Sequence, residues 1–312
     1  MKNVIILSVI WLGLCVSALA QGEAHFERGL KQLKKGAADQ ALESFNQAME
    51  AMTHLAPHRA DETQIRVIDP RTAYVLNNRA AAWLLKGEPQ AALNDLMQAL
   101  KLQPRLPEAW LNLGNAHRDN GDWQKAEAAY ARCHELAPHK VEAWLARALV
   151  RFERQAYDDA LADVQNALAL NQRYAEAWNA RGVIWLKQER QEAALADFNR
   201  CLQLQPNHAG ALSNRGNLWR AQGQWQAALN DFDRALSLKP EQYETWNNRA
   251  NVFALQGEWH RALADYTQAI KLKPNAIVYE NRALVWLRLG QKTEAESDRA
   301  ARQQLLQAQP SR

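Results

Sequence analysis

Apolar and small residues recur along the chain at the spacing of amphipathic helices, and the whole pattern returns every 34 residues. The period is clearest in three columns, which hold an arginine, an alanine and a proline. Members of these columns are Arg181, Arg215 and Arg249; Ala194, Ala228 and Ala262; and Pro206, Pro240 and Pro274. One period holds two short helices, neither of which can bury its apolar face alone. The pattern therefore predicts helical hairpins that stack on one another.

Glycine and proline mark where the predicted helices stop. A glycine follows the first helix of a unit, and a proline lies close to the end of the second, as expected of helix-stop signals. The glycines are Gly36, Gly87, Gly121, Gly223, Gly257 and Gly290, and the prolines are Pro104, Pro138, Pro206, Pro240 and Pro274.

Two columns hold only small residues, which predicts close contact between the two helices of each unit. One column is Ala41, Ala92, Ala126, Ala160, Ala194, Ala228, Ala262 and Ala295, and the other is Gly29, Ala80, Gly114, Ala148, Gly182, Gly216, Ala250 and Ala283. A larger side chain at such a contact would overpack it, at a cost of about 1–3 kcal/mol. Large partners such as Phe198 and Phe232 are expected in the next layer. The last unit has Arg299 and Arg302 at its core places, which predicts a polar terminal cap.

The chain resembles the tetratricopeptide repeat (TPR) family in the motif W-x2-L-G … A-x3-F … P. The best match is Trp110, Leu113, Gly114, Gly121, Ala126, Tyr130 and Pro138. The resemblance implies an all-α fold, a right-handed α-solenoid superhelix of about eight TPR helix-turn-helix repeats. Their expected bounds are TPR 1 (22–55), TPR 2 (73–106), TPR 3 (107–140), TPR 4 (141–174), TPR 5 (175–208), TPR 6 (209–242), TPR 7 (243–275) and TPR 8 (276–309), the last with a degenerate capping helix.

Two segments lie outside the repeats. Residues 1–20 carry Lys2 near their start, continue with an apolar run and end in Ala18-Leu19-Ala20, which predicts a signal peptide cut after Ala20. We therefore expect a periplasmic or secreted protein with no membrane insertion after cleavage; the alternative is an anchor formed by an uncleaved N-terminal helix. Residues 56–72 form a predicted insertion loop, either a tolerated insertion or a segment that covers the groove or binds a partner.

Arginine at the seventh place of a repeat varies together with aspartate sixteen residues later. Both are present in six repeats, and both are absent from TPR 3, which has Leu113 and Ala129, whereas TPR 1 has Arg28 but Ser44. This pattern predicts an ion pair between the two helices of each repeat, whereas a basic stripe for an anionic ligand is the alternative. The pairs are Arg79–Asp95, Arg147–Asp163, Arg181–Asp197, Arg215–Asp231, Arg249–Asp265 and Arg282–Asp298.

Asparagine is frequent at the places that line the concave groove in the family. By resemblance these groove positions are places two, five, six, nine, twelve and thirteen of each repeat. Asparagine is a mediocre helix former, but its amide can both donate to and accept from the backbone of an extended peptide. The arrangement resembles the asparagine ladder in the TPR superhelix of O-GlcNAc transferase. The predicted peptide-binding residues are Asn77, Asn78, Asn112, Asn115, Asn179, Asn214, Asn217, Asn247, Asn248, Asn251 and Asn281. Alternatively, these side chains bond to neighbouring helices and shape the stack.

The two-carboxylate clamp of chaperone-tail-binding TPR proteins is not expected here. Asn78 matches its central asparagine, but Phe26 and Leu30 stand where the clamp needs Lys and Asn, and Glu108 and Asn112 stand where it needs Lys and Arg.

The sequence carries none of the common catalytic or cofactor-binding motifs. It has no phosphate loop, no dinucleotide-binding glycine motif, and no His or Cys spacing typical of a metal site. The net charge of +4 is spread over mixed charges without a basic block, which disfavours nucleic-acid binding. Cys133 and Cys201 occupy the same place two repeats apart, so we expect them to be buried and not bonded to each other. The eleven tryptophans beyond residue 20 fall in three repeat columns and are expected to pack between helices.

The sequence predicts a non-enzymatic scaffold without cofactors. It would bind an extended protein segment in the concave TPR groove, most simply as a monomer. The alternative is a structural assembly factor of an envelope complex that acts through its convex face or its ends.

Overall fold

The computed structural model describes residues 20–53 and 71–308. The predicted signal peptide, except for Ala20, and the predicted insertion loop, except for Arg71 and Thr72, lie outside these residues. The described residues are all-helical, with sixteen helices and no strand. The chain divides into two compact units, Met1–Asn166 and Ala167–Arg312.

The first unit is built from helices that pack in adjacent pairs. Its helical segments are α1 over residues 20–34, α2 (Ala38–Thr53), α3 (Thr72–Lys86), α4 (Pro89–Leu102), α5 (Pro107–Asp119), α6 (Trp123–Leu136) and α7 (Val141–Glu153). Prolines begin α4 and α5, where the missing N–H costs no helical hydrogen bond.

The second unit repeats the same arrangement. It contains α9 (Ala175–Lys187), α10 (Gln191–Leu204), α11 (Ala209–Ala221), α12 (Trp225–Leu238), α13 (Tyr243–Leu255), α14 (Trp259–Leu272), α15 (Ala276–Arg288) and α16 (Lys292–Ala308). The division between the units falls inside α8 (Tyr157–Leu170). Among the described helices, none has both the length and the apolar character needed to cross a bilayer.

The turns inside the hairpins all need one residue with a left-handed backbone. Six of them use glycine, for example Gly223 at a φ of 73°. The two remaining turns use Gln155 and Glu189, at φ values of 62° and 60°. Because glycine adopts this conformation without a steric penalty, the glycine column reflects the geometry of the turn rather than a ligand.

The columns of small residues lie where the paired helices approach most closely. All eight alanines of the first column have 0% exposure, which confirms that expectation. The facing aromatic side chains are equally buried, as Phe198 and Phe232 illustrate. Glycine in the second column is needed for contact: a Cβ on Gly216 would lie 2.7 Å from Cε1 of Phe232, which is closer than carbon atoms pack.

The tryptophans at place four connect each first helix to the turn that precedes it. Their indole N–H groups donate to a carbonyl six residues earlier, as in Trp110 to Pro104 at 2.8 Å and Trp246 to Pro240 at 2.8 Å. Trp110, Trp178 and Trp246 also pack against buried residues, which confirms their packing role. These hydrogen bonds fix the angle between successive hairpins and leave the indoles of this column engaged within the protein.

Candidate functional site

The predicted arginine–aspartate ion pairs form in all six repeats that carry both residues. In each pair the arginine donates from Nε and from one terminal nitrogen to the two carboxylate oxygens, at 2.6–2.9 Å. The aspartates are only 1–7% exposed. The pairing predicted from covariation is therefore confirmed, and it is bidentate, the geometry that planar guanidinium and carboxylate groups favour.

The arginines of this column have further partners within the protein. Nη1 of Arg215 donates to Asn199, Nη1 of Arg249 to Asp233, and Nη1 of Arg282 to Thr267, at 2.6–2.9 Å. Each of these acceptors belongs to the second helix of the preceding repeat. Arg79 donates in the same way to Asn46. These four arginines therefore join successive repeats, and the alternative of a basic stripe for an anionic ligand is not supported because each arginine of the column is already paired with an aspartate.

The asparagines at places five and six form hydrogen bonds between successive first helices. Asn112 donates to Asn77 at 2.9 Å, and Asn214 donates to Asn179 at 3.0 Å. Asn281 donates to Asn247 at 3.1 Å. We call each of these hydrogen bonds a rung: the asparagine at place five of one repeat accepts from the asparagine at place six of the next.

The asparagines at place nine accept from tyrosines of the second helices. The Tyr130 hydroxyl donates to Asn115 at 2.9 Å, and the Tyr266 hydroxyl donates to Asn251 at 2.6 Å. The corresponding residue Asn217 is different, because Phe232 occupies the tyrosine's place in its repeat. Its Oδ1 atom is buried without a hydrogen-bond partner. An orphaned acceptor of this kind is costly in a folded protein unless something binds it.

The two remaining predicted residues form hydrogen bonds only within their own helices. Asn78 donates to the Tyr74 carbonyl at 2.8 Å, and Asn248 accepts from Asn247 at 3.4 Å. The structure thus supports the alternative role, shaping the stack, for most of the eleven asparagines. Peptide binding by them stays a prediction, and it depends on the amide atoms that these bonds leave unused.

A cavity of about 760 Å³ in the second unit brings several groove positions together. Its lining comes mainly from α13 and α15, with Trp259 and Tyr266 from α14 and Arg220 from α11. Asn251 and Asn281 line it, and Asn281 donates to Asn251 at 3.4 Å. Nδ2 of Asn251 and Oδ1 of Asn281 have no hydrogen-bond partner among the described residues. The cavity therefore offers one donor and one acceptor, the pair of groups that an extended backbone can use.

Three other residues of the cavity were not singled out by the sequence. Arg220, Arg288 and Leu284 also line it, and each occupies a groove position of its repeat. One signal was available: Arg118, at the same place in TPR 3, is followed by Asp119, whereas Arg220 is followed by Ala221. The arginine of TPR 6 therefore lacks the neighbouring carboxylate that the arginine of TPR 3 has, which indicates a site that differs from TPR 3.

The cysteines and metal-binding residues offer no reactive centre in the described ranges. Cys133 and Cys201 are both buried and free, as predicted. Burial raises the pKa of the Cys133 thiol to about 11 and that of Cys201 to about 12, so both stay protonated near neutral pH. Residues 20–53 and 71–308 contain no group of His, Cys, Asp or Glu side chains that could hold a metal ion.

Fold and site together define a helical-repeat protein whose first helices carry a polar surface. Sequence models described as tetratricopeptide repeat or TPR repeat match residues 84–121, 107–140, 145–209, 181–242 and 243–275. The chain belongs to the tetratricopeptide repeat family, which confirms the resemblance.

Two curated relatives match short parts of the chain. The small glutamine-rich tetratricopeptide repeat-containing protein 2 of Mycosarcoma maydis is 33% identical over 95 residues, which is 30% of this chain and 27% of that protein. The heat-shock protein cognate co-chaperone sgt12 of Aspergillus fumigatus is 36% identical over 70 residues, 22% of this chain and 20% of that protein. The chain therefore matches well under a third of either relative.

A solved structure of a protein complex shares the fold over most of the chain. The crystal structure of the APC/C hetero-tetramer Cut9–Hcn1 aligns with a TM-score of 0.70 and 17% identity, over 89% of this chain and 53% of that one. At this level of identity the likeness concerns the fold alone.

Proposed function

We propose that the protein is a non-enzymatic interaction scaffold that binds an extended protein segment along the groove positions of its first helices. The observation that carries the proposal is the cavity of the second unit, where Asn251 and Asn281 each keep an unused amide atom beside exposed leucines. An extended segment can satisfy both atoms with its own backbone N–H and C=O. The buried orphan acceptor of Asn217, on a neighbouring first helix of the same unit, supports the same reading.

The relatives support protein partners rather than small substrates. One is named a co-chaperone, and the solved neighbour is part of a hetero-tetramer. For this chain we infer a protein partner from those names and from its membership of the family. We also propose export to the periplasm or outside the cell, which rests on the sequence of residues 1–20. N-terminal sequencing of protein recovered from the envelope fraction tests the predicted cleavage after Ala20.

A second candidate function rests on an apolar column of the second helices. Leu170, Leu238 and Leu272 occupy the same place in three repeats and are 38–47% exposed. Repeated exposed leucines of this kind can form an interface with a larger assembly. They favour the alternative of a structural assembly factor for an envelope complex.

Photo-crosslinking separates the two functions. The chain from residue 21 is prepared with a benzophenone amino acid either at Leu284, a groove position, or at Leu238, on a second helix; both leucines are exposed, so both changes are expected to fold. After irradiation in envelope extract, we expect an adduct from the Leu284 site that maps to one continuous segment of its partner. Adducts from the Leu238 site alone would contradict groove binding and favour the assembly role.

Substitutions then test the asparagines without breaking the rungs. Asn217→Ala together with Asn248→Ala is expected to reduce the Leu284 adduct at least tenfold, since these amides have the weakest contacts within the protein. Asn230→Ala, on the second helix α12, is the matched control and should leave the adduct unchanged. Circular dichroism melts check that both variants remain folded. An undiminished adduct in the double variant would exclude Asn217 and Asn248 from binding.

A further inference from the structure

Two arginines at the cavity of the second unit have no anionic partner among the described residues. Arg220 and Arg288 line the cavity, and neither forms a salt bridge or a hydrogen bond from its side chain to any described residue. Nε of Arg220 is moreover buried without a partner. Buried guanidinium donors are otherwise paired in proteins, since an unpaired one loses its hydration without compensation. In this chain the six arginines of place seven follow that rule.

The repeat provides an internal comparison for Arg220. Arg118 occupies the same place in TPR 3, and its guanidinium donates to Asp119 at 2.9–3.0 Å. In TPR 6 the residue after Arg220 is Ala221, whose side chain cannot accept a hydrogen bond. Of the two repeats with arginine at this place, only TPR 3 supplies a neighbouring carboxylate.

The acidic groups on the surrounding helices are already engaged. Asp265 is paired with Arg249, Glu258 with Arg261, and Glu280 lies within 3.4–3.7 Å of arginines of α16. The charge of Arg220 acts on the cavity instead: burial raises the pKa of the Tyr266 hydroxyl, and the positive charge of Arg220 opposes that rise. The lining of the cavity contains these two arginines and no carboxylate, so the cavity is electropositive.

The wall beside these charges is apolar. Leu255, Leu284 and Leu287 line the cavity and are 57%, 50% and 39% exposed. Trp259 lies in the same wall. Aliphatic side chains exposed together beside unpaired cations form a surface that is complementary to a carboxylate with an aliphatic neighbour.

We propose that this cavity recognises an acidic side chain next to an aliphatic one in the bound protein segment. Arg220 and Arg288 would bind the Asp or Glu carboxylate, the leucines would cover the aliphatic side chain, and Asn251 and Asn281 would bind the backbone between them. The proposal rests on the proposed function and specifies what the segment must contain. A guanidinium suits this role because its planar donors match the two oxygens of a carboxylate.

A random octapeptide library displayed on phage tests the proposal. Peptides fused at their C-termini have no free terminal carboxylate, so any acidic preference must come from side chains. Panning on the chain from residue 21 is expected to enrich Asp or Glu directly beside Leu, Ile, Val or Met. An enriched peptide is then synthesised in acidic form and with Gln or Asn in place of the acid. We expect the amide form to bind at least tenfold more weakly by fluorescence anisotropy.

Variants of the chain complete the test. Arg220→Gln is expected to weaken binding of the acidic peptide at least tenfold and to leave binding of the amide peptide unchanged. Arg118→Gln, the matched control, should alter the affinity for neither peptide. Arg220→Gln should not lower the melting temperature, because the residue it replaces has no partner to lose. Arg220→Lys keeps the positive charge but lacks the planar guanidinium group. Its affinity for the acidic peptide should lie between those of the original protein and of Arg220→Gln.

The outcomes separate the two proposals. Enriched peptides without acidic residues, captured in a way that depends on Asn217 and Asn248, would overturn the acidic motif and leave the proposed function standing. Equal binding of acidic and amide peptides, or full competition by millimolar inorganic phosphate, would also overturn it, because the site would then bind any segment or any anion. Failure to enrich any peptide would contradict both proposals.

Discussion

Arg215 donates from Nε and Nη2 to the two carboxylate oxygens of Asp231, at 2.8 and 2.7 Å, across the two helices of one hairpin. The same guanidinium donates from Nη1 to Asn199 of the preceding repeat at 2.8 Å. One side chain therefore closes a hairpin and ties it to its neighbour. Because the aspartate of every pair in this column is buried, we expect the Arg–Asp pairs to contribute to stability.

Removal of the aspartate from this pair is expected to be strongly destabilising. Asp231→Ala strands a guanidinium that is largely buried, which should lower the free energy of unfolding by about 3–5 kcal/mol in urea denaturation. The matched control is Asp233→Ala on the same helix, whose exposed carboxylate pairs with Arg249. That change should cost at most about 1 kcal/mol. Equal effects of the two substitutions would refute the structural role assigned to the buried pair.

Gly216 tests the close contact between helices. Gly216→Ala should destabilise the protein by about 1–3 kcal/mol, since the new Cβ would lie 2.7 Å from Phe232, although alanine is the better helix former by about 1 kcal/mol. In TPR 2 the equivalent pair is Ala80 and Leu96, both fully buried. In an F232L background the glycine-to-alanine change should therefore become neutral or stabilising. Thermal melts of the original protein, the two single variants and the double variant measure this. If Gly216→Ala is as destabilising in the F232L background as in the original protein, a steric conflict with Phe232 is not the cause.

The asparagine rungs are expected to contribute to stability as pairs. In the next junction along the chain the corresponding residues are Leu111 and Ala146, which belong to one apolar cluster. Asn77→Leu alone leaves the Asn112 amide beside an apolar side chain and should cost about 1–3 kcal/mol. The double substitution N77L/N112A reproduces the natural apolar pair and should recover most of that loss. Additive effects in the double-mutant cycle would mean that the two amides do not interact.

His134 is expected to make stability depend on pH. Its ring is buried, stacks on Trp144 at 3.9 Å, and has no hydrogen-bond partner at either nitrogen. Burial, with smaller effects of Arg147 and Arg151, lowers the pKa of His134 from 6.5 to about 4. The unfolded chain therefore binds more protons between these values, so stability is complete above pH 6.5 and is lost as pH falls towards about 4.

His134→Phe checks this dependence, because phenylalanine keeps the ring stack and removes the titrating group. We expect the variant to be as stable as the original protein at pH 7.5 and to lose less stability between pH 6.5 and 4.5. His260→Phe, at an exposed position, is the control and should leave the pH dependence unchanged. If the His134→Phe variant and the original protein lose the same stability as the pH falls, His134 is not the source of the pH dependence.

The paired helices, the buried alanines and the Arg–Asp pairs could be predicted by comparing the same place in successive repeats. Each of these features depends on contacts inside one hairpin. Two residues that vary together at a separation of sixteen therefore identify such a contact. The rungs were harder to predict, although Asn77 with Asn112 and Leu111 with Ala146 vary together across the junctions. Their partners lie about one repeat apart and at different places, so a comparison of single columns does not reveal them.

The sequence by itself determined the repeat, the family and the residues that close each hairpin, because a period of 34 residues dictates which side chains meet inside a unit. Tertiary structure decided which polar groups remain available. Asn214 and Arg215 are engaged within the stack, whereas Arg220 and Asn217 keep atoms without partners. The physical reason is that satisfaction of a donor or acceptor depends on the helix packed beside it. That neighbour is specified by the three-dimensional arrangement and not by the residue's own place in the repeat.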